Sequence, residues 1–467
     1  MQADFAREVL SRLPLAEAVL RLWRWVADPL FLLSLFARHR GAGYEKVLSF
    51  GMLVQLIADA LLEHRGSGRK SFARAQENGQ LEASVQAVYQ KLGRVPLGLS
   101  EAWLAESTDR VWPVYPQGAT SAVPPSMQAF RVLVVDGKAI KRVAKRLKPL
   151  RGRQGGVLGG KALVALEVAR GLAVAMATDP DGETNEAKLV PALLPQVRAR
   201  MAGPRLWVAD RQFCDLRQTA AFAAEQDHFV VRYHPKTHFC PDPTHGTQSG
   251  HDPQGRQWVE DWGWLGSERA TQRRFVRRIT LARPGEETVI LLTDLLDAEQ
   301  YPANDLLALY LARWGIERVF QPITEVFHLQ ALIGTTPQGT GFHLAFCLLL
   351  YNLLQVGRAY VATAHARPPA PISTELLFDD VQRQLVALTE LVPPPTVAPL
   401  FEPFPSPDSL CTYLSRLLGT VWTSRWLKAP AKKPKPPTVR KAIRGNQTSV
   451  YRLLVAYHQQ GVTSRAQ

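Results

Sequence analysis

The sequence predicts a mixed α/β protein that begins with a mainly helical region. Three observations support this prediction. Apolar residues recur at helical spacing in residues 4–23 and 44–64. Short β-branched runs follow, of which the first is FRVLVVDG at residues 130–137. Helical stretches then alternate with further apolar runs, which is the order expected when helices pack on a sheet.

The elements after the linker at residues 115–126 follow a regular order. We predict five strands, two helices between them, and a β-rich insert that begins at His234. A helix at residues 309–327 and a buried apolar helix follow, and the last part is rich in proline and basic residues. The first predicted region (1–125) is helical and contains a basic segment at residues 64–77 that suits phosphate contacts, so we expect this N-terminal region to bind DNA. The other predicted regions are the first part of an α/β core (126–233), the β-rich insert (234–300), the second part of the core (301–362), and a proline-rich linker with a basic C-terminal region (363–467).

The composition favours a soluble protein with a polyanionic partner. A chain of 467 residues with 46% hydrophobic residues is long enough for two to four globular domains. Lysine and arginine number 56 against 41 aspartates and glutamates, for a net charge of +15. That excess favours nucleic acid, with an anionic membrane surface as the weaker alternative.

The remaining totals exclude several classes. The four cysteines have no CxxC spacing, so no disulfide framework is implied. A zinc site in the segment YHPKTHFCPDPTH is a minor alternative, with the ligands His234, His238, Cys240 and His245. The first residues do not resemble a secretory signal, and the apolar run Phe342 to Val356 is shorter than the roughly 20 residues of a membrane span. We expect a cytoplasmic protein that has no membrane partner.

Three carboxylates are candidates for one site. Asp136 and Asp210 lie at the ends of two apolar strands, where an unpaired buried carboxylate would be costly. If the two strands are neighbours, the carboxylates converge, and a helix across the strand ends could add Glu317. The alternatives are a turn at Asp136 and an ordinary ion pair between Arg313 and Glu317, worth about 0.2–0.5 kcal/mol.

Converging carboxylates indicate a metal site. They repel one another unless a cation lies between them, and Mg²⁺ is the hard divalent ion expected with oxygen ligands. Two such ions can activate an attacking oxygen and stabilise a leaving oxygen in phosphodiester chemistry. We therefore expect two Mg²⁺ ions, with Mn²⁺ as a substitute.

Three motifs together resemble a known family. VVDGK contains Asp136, VADRQF contains Asp210, and RWGIERVF contains Glu317. With Tyr310 and Arg313, the last motif matches the pattern Y-x2-R-x3-E-x6-K, except that a threonine replaces the lysine. The chain resembles the DDE transposases of bacterial insertion sequences, in the insertion-sequence-4 family.

The resemblance implies a fold and a set of roles. It implies a ribonuclease-H-like catalytic core in which Asp136, Asp210 and Glu317 bind the catalytic metal. It also implies that Tyr310 and Arg313 hold phosphates at the transposon end. The threonine that replaces the lysine of the pattern is Thr324, and it removes one expected phosphate contact and one positive charge.

A basic stretch follows the first aspartate. Residues 137–161 include Lys138, Lys141 and Arg142, which we expect to contact the DNA backbone beside the site, together with Arg211. The alternative is a solvated basic hairpin. Tryptophans of the insert could stack a displaced base, although at least two are expected to be core: Trp258, Trp262 and Trp264.

The predicted function is cut-and-paste DNA transposition. The expected enzyme is a Mg²⁺-dependent transposase that cleaves transposon ends, joins them to target DNA, and works as a dimer on DNA in association with the nucleoid. Two alternatives remain open at this point: a plain metal-dependent nuclease, and a decayed or domesticated copy that binds DNA without cutting. A membrane-surface protein is a distant fourth.

Overall fold

The computed structural model describes residues 2–64, 66–119, 123–141, 143–312, 333–428 and 447–463. Four residues that the sequence predictions single out lie outside these ranges: Arg142, Arg313, Glu317 and Thr324. Predictions that concern them therefore stay predictions.

The N-terminal region is helical, as the apolar spacing predicts. Its helices are α1 (Gln2–Ser11), α2 (Pro14–Val26), α3 (Pro29–His39), α4 (Phe50–Leu62), α5 (Gly68–Glu77), α6 (Val85–Leu92) and α7 (Leu97–Val111). Several begin at a side chain that accepts a hydrogen bond from an otherwise unpaired backbone N–H. These caps are Asp28, Ser49, Ser67 and Ser84.

The strands begin after residue 130. They are β1 (Arg131–Ala139), β2 (Val157–Leu158), β3 (Lys161–Glu167), β4 (Leu172–Asp179), β5 (Arg205–Ala209), β6 (His228–Arg232), β7 (Phe239–Pro241), β8 (Gln248–His251), β9 (Gln257–Leu265), β10 (Arg274–Leu281), β11 (Val289–Thr293) and β12 (Thr448–Ser449). The five strands predicted between residues 130 and 233 are confirmed as β1, β3, β4, β5 and β6.

One large sheet organises the centre of the molecule. Its strand order is β4-β3-β1-β5-β6-β11-β10-β9-β7, and β8 pairs with β9. β1 is antiparallel to β3 but parallel to β5, and β5 is parallel to β6. Consecutive residues of these strands are buried, for example residues 132–135 of β1, so both faces of this part of the sheet are covered.

The strands of the predicted insert extend this sheet. The sequence pattern predicts a separate β-rich unit, but β11 pairs with β6 in antiparallel fashion and joins β10 and β9 to the centre. The physical reason is the exposed edge of β6, whose unpaired backbone groups are satisfied by β11.

The later helices enclose the sheet. They are α8 (Val190–Arg198), α9 (Leu216–Phe222), α10 (Ala303–Ala312), α11 (Pro337–Ala364), α12 (Thr374–Leu391), α13 (Pro394–Val397), α14 (Pro407–Leu418) and α15 (Val450–Thr463). Sequence reasoning did not predict α12 or α14. Proline is compatible with the first turn of a helix, and Ser406 forms a capping box just before Pro407.

Helix α11 is the buried apolar helix that the sequence predicts. By length and composition, this described helix could cross a membrane. However, 89% of its most apolar 18-residue segment is buried inside the protein. Asn352 on this helix accepts a hydrogen bond from the backbone N–H of Ala173 at 2.8 Å and donates one to the carbonyl of the same residue at 2.8 Å. The helix is therefore a core element bound to β4.

The N-terminal helices share the apolar core of the sheet. Trp23 on α2 and Trp103 on α7 lie against Phe346 on α11, with ring centroids 5.3 and 6.0 Å from the phenyl ring. The α7 helix also packs on β4. The helical region is thus held against the edge of the sheet by continuous apolar packing.

A cavity among the N-terminal helices contains a destabilising acid pair. The cavity, of about 360 Å³, lies between α2, α4, α5 and α12. Burial and then the charge of Glu63 raise the pKa of Asp59 to about 7. The folded state therefore holds a proton that the unfolded state releases, and stability falls as pH rises from about 4 to about 7.

Substitution Asp59→Asn is expected to stabilise the protein at pH 8 by about 1–3 kcal/mol, because it removes a carboxylate that burial disfavours. At pH 4 the same substitution is expected to change little. Urea denaturation at the two pH values measures the difference. Asp379→Asn, at an exposed position on α12, is the control. An equal effect of Asp59→Asn at both pH values would contradict the assignment.

Candidate active site

The two aspartates lie on neighbouring strands at the same edge of the sheet. In the parallel pair β1–β5, Val135 is the partner of Ala209. Asp136 is the next residue of β1, and Asp210 follows directly after the end of β5. Neighbouring strands are about 4.8 Å apart, so the two half-buried side chains start from adjacent backbone positions. Two residues 74 positions apart in the sequence are thereby brought together.

Tyr310 contacts the second aspartate. Its ring is 1% exposed, and its hydroxyl donates a hydrogen bond to Oδ1 of Asp210 at 3.2 Å. This bond attaches α10 to the end of β5. The described contact of Tyr310 is with a carboxylate, whereas its contact with a DNA phosphate remains a prediction.

Tyr310→Phe is expected to lower metal-dependent DNA cleavage by about tenfold without unfolding the protein. The phenyl ring keeps the packing, but Asp210 loses a charge-assisted hydrogen bond worth about 1.5 kcal/mol or more. The initial cleavage rate at saturating metal measures the effect. Tyr360→Phe is a matched control, because that buried hydroxyl donates to the Val114 carbonyl instead. Equal rates for both variants would contradict a role for the Tyr310 hydroxyl.

Glu186 is a site residue that sequence reasoning missed. Its carboxylate accepts from Lys161 Nζ at 2.9 Å through Oε1 and from the Gln212 amide through Oε2. Lys161 begins β3, and Gln212 comes two residues after Asp210. The glutamate therefore joins the segments on both sides of the site.

Glycine at position 137 makes room for this glutamate. A Cβ atom at Gly137 would lie 1.9 Å from both Cδ and Oε2 of Glu186, far inside van der Waals contact. The carboxylate thus rests directly on the backbone next to Asp136. The glycine of VVDGK was the available signal, since a glycine inside a strand often marks a close approach.

Arg232 is the second residue that sequence reasoning missed. It ends β6 beside β5, and its guanidinium forms an ion pair with Glu287 at 2.8 Å. Burial lowers the pKa of Arg232, but the hydrogen bond with Glu287 and neighbouring groups, Asp210 among them, raise it overall. A positive charge therefore lies near the second aspartate.

Arg211 also contacts Glu287, the partner of Arg232. Its guanidinium is exposed and reaches the exposed carboxylate of Glu287 at 3.4 Å. Because Glu287 is mostly in solvent, this ion pair is weak and can be exchanged for a phosphate. The geometry is compatible with the DNA contact that the sequence predicts for Arg211.

The predicted basic stretch lies between β1 and β3. Lys138 is half-buried within β1, while Lys141 is exposed just after it. Further cations of this stretch are also exposed: Arg146, Lys148, Arg151 and Arg153. This surface fits a DNA backbone and equally fits a solvated hairpin, so the two interpretations are still open here.

The structure also describes the residues of the possible zinc site and the tryptophans of the insert. Within the described ranges, which include all of residues 234–245, no group of three or more histidine, cysteine or acidic residues could hold a metal. The zinc alternative therefore has no support. Trp262 is buried and donates from Nε1 to the Leu296 carbonyl at 2.9 Å, whereas Trp264 is 38% exposed.

The two aspartates offer ligand atoms of the kind that a divalent metal ion such as Mg²⁺ binds. Asp136 and Asp210 offer carboxylate oxygens, the donors that Mg²⁺ prefers. Two carboxylates alone seldom hold such an ion without further ligands. The predicted third ligand, Glu317, lies outside the described residues.

The comparison with known protein families agrees with this geometry. Residues 128–353 match the family model described as the transposase DDE domain. No curated protein matches the chain in sequence. Among solved structures, the chain is similar to the cryo-EM structure of a piggyBac transposase synaptic complex with hairpin DNA, at 11% identity, with 89% of this chain and 78% of that chain covered and a TM-score of 0.37.

The family match is the finding that carries weight, because a TM-score of 0.37 does not establish a shared fold. The matched segment contains Asp136, Asp210, Glu186 and Tyr310. The matched segment also begins just before β1 and ends inside α11. The central part of this chain is therefore similar to a transposase DDE domain, and the match supports a DDE transposase.

Proposed function

We propose that this protein is a Mg²⁺-dependent DNA transposase that cleaves transposon ends and joins them to target DNA. The observation that carries the proposal is the pair Asp136 and Asp210, on adjacent parallel strands within the segment that matches the transposase family. Composition alone supports only a nucleic-acid partner, whereas this pair supports phosphodiester chemistry.

We further propose that the core is ribonuclease-H-like. The strand order β4-β3-β1-β5-β6 supports this, with β3 antiparallel to β1 and with β1, β5 and β6 parallel. In such a sheet the carboxyl ends of the parallel strands meet at one edge, and ligands bind there.

The proposed roles follow from the contacts. Asp136 and Asp210, with Glu317, would hold the metal, which when bound polarises the phosphodiester and stabilises the leaving oxygen. Tyr310 orients the carboxylate of Asp210. Arg232, which interacts electrostatically with the second aspartate, adds a positive charge that attracts phosphate to the site.

The proposed partner is DNA, with two protein copies on two transposon ends. Exposed cations of the basic stretch and the net charge of +15 support backbone contacts that weaken with salt. A dimer is proposed because two ends have to be joined to one target, and the expected place of action is the nucleoid in the bacterial cytoplasm.

The test is a cleavage and joining assay on linear DNA that carries the inverted repeats flanking the reading frame. The purified chain with Mg²⁺ is expected to nick the repeat ends and to join them to a plasmid. Nicking without joined products would favour the plain nuclease. A retained shift of labelled DNA without nicking would favour a copy that only binds DNA.

A further inference from the structure

The N-terminal helices enclose a second candidate binding site. A cavity of about 690 Å³ opens between α3, α6 and the loop of residues 40–48. This volume is within the range of small-molecule sites. The floor of the cavity consists of buried apolar side chains: Phe36, Leu48, Phe50, Val95 and Leu99.

The rim of this cavity is cationic. Arg40, Lys46 and Arg94 are exposed, and Lys91 is half-buried beside them. None of the described lining residues is acidic. The adjacent Glu45 lies 3.9 Å from Lys91 Nζ and offsets one of the four charges. The rim therefore favours an anion.

An aromatic ring stands at the mouth of the cavity. Tyr44 is 65% exposed, which is unusual for a large side chain in contact with an apolar floor. Lys46 Nζ lies 5.7 Å from the centre of this ring. An exposed ring that is flanked by cations offers a stacking surface and a phosphate contact at the same place.

Helix α6 contacts both the cavity and the basic stretch that follows Asp136, through different residues. Helix α6 supplies Lys91 to the cavity, and the ring of Tyr89 on the same helix lies 6.0 Å from the Arg146 guanidinium. Arg146 belongs to the exposed basic stretch that follows Asp136. Two cationic surfaces therefore border the same short helix, α6, on different faces.

We propose that this cavity binds a nucleotide, with the base on the apolar floor against Tyr44 and the phosphate at Arg40, Lys46 and Arg94. The nucleotide is an unpaired residue of DNA if the proposed function holds, and a free mononucleotide shares the same chemistry. A site for an acidic peptide would recognise negative charge alone, so it would bind an oligonucleotide equally well with and without its bases. The effect of removing the bases therefore distinguishes the two kinds of site.

The first experiment measures binding of fluorescein-labelled dT6 to the full-length chain by anisotropy, in the absence of metal. Tyr44→Ala is expected to weaken binding by about tenfold. An abasic oligonucleotide of the same length is expected to bind the unmodified protein about as weakly, and to lose nothing further in Tyr44→Ala. The control is Tyr457→Ala on α15, where the tyrosine is also exposed, at 40%.

A second variant tests the rim. Arg94→Glu is expected to weaken dT6 and the abasic oligonucleotide alike, because it opposes the phosphate rather than the base. Arg269→Glu, an exposed position after β9, is the charge control. If Tyr44→Ala binds dT6 as Tyr457→Ala does, or if the abasic oligonucleotide binds as well as dT6, the proposal is overturned.

The source of the nucleotide is separated by titration with AMP. If the unmodified protein binds AMP and Tyr44→Ala weakens that binding, the ligand is a free nucleotide. If Tyr44→Ala weakens dT6 binding but the unmodified protein does not measurably bind AMP, the ligand is DNA. Cleavage by the unmodified protein together with unaltered dT6 binding by Tyr44→Ala would therefore remove the cavity proposal alone.

Discussion

Asp136→Asn is expected to reduce metal-dependent cleavage of end-containing DNA by about three orders of magnitude. The substitution keeps the size of the side chain but replaces a charged metal ligand by a neutral one. Metal ions supply several kcal/mol of transition-state stabilisation, and each 1.4 kcal/mol is about tenfold in rate. The initial cleavage rate at saturating Mg²⁺ measures the loss.

The control for this prediction is Asp179→Asn. Asp179 ends β4 in the same sheet, is also half-buried, and accepts a hydrogen bond from the Asp181 N–H at 2.7 Å, which an asparagine oxygen can replace. Both variants are expected to unfold at the same temperature as the unmodified protein. If Asp136→Asn cleaved within a few fold of Asp179→Asn, Asp136 would not be a metal ligand.

Gly137→Ala is expected to have the second largest effect, with cleavage lowered by about a hundredfold. The added Cβ would take the place of the Glu186 carboxylate, so that side chain must leave Lys161 and Gln212. Displacement of a group beside Asp136 by about 1 Å is enough for such a loss. The lost ion pair and hydrogen bond are expected to reduce stability by about 1–2 kcal/mol.

Two variants separate the steric effect from other causes. The double variant Gly137→Ala with Glu186→Ala is expected to be as stable as Glu186→Ala alone, because the methyl group has space once that carboxylate is absent. Gly98→Ala is the control, since a Cβ at that helical position meets nothing within 4 Å. If Gly137→Ala alone were as stable and as active as Gly98→Ala, the close approach of Glu186 to Gly137 would matter neither for stability nor for cleavage.

The order of strands and helices could be predicted from the sequence. The runs at residues 130–137 and 204–210 are short, apolar and β-branched, and in the structure they form β1 and β5. The aspartate at the end of each run was recognisable because a buried strand rarely ends in a carboxylate without a partner. We inferred that the two strands are neighbours, and the parallel pairing of β1 with β5 supports this inference.

Other features could not be predicted in this way. Helix α12 contains no proline but lies between two proline-rich segments, which concealed it. Helix α14 begins at Pro407, and proline is tolerated in the first turn of a helix although it breaks the interior. The insert strands were recognised as strands, but their pairing with β6 depends on which edge of the sheet remains open.

The sequence by itself determined the α/β class, the strands that carry Asp136 and Asp210, and the basic charge that indicates a nucleic-acid partner. These properties depend on local composition and periodicity, which are present before folding. Only the tertiary structure decided that Glu186 rests on Gly137 and that Tyr310 donates to Asp210 across 100 residues of sequence. Such contacts depend on strand pairing and helix packing, which bring together side chains whose separation in the sequence carries no information about their distance in space.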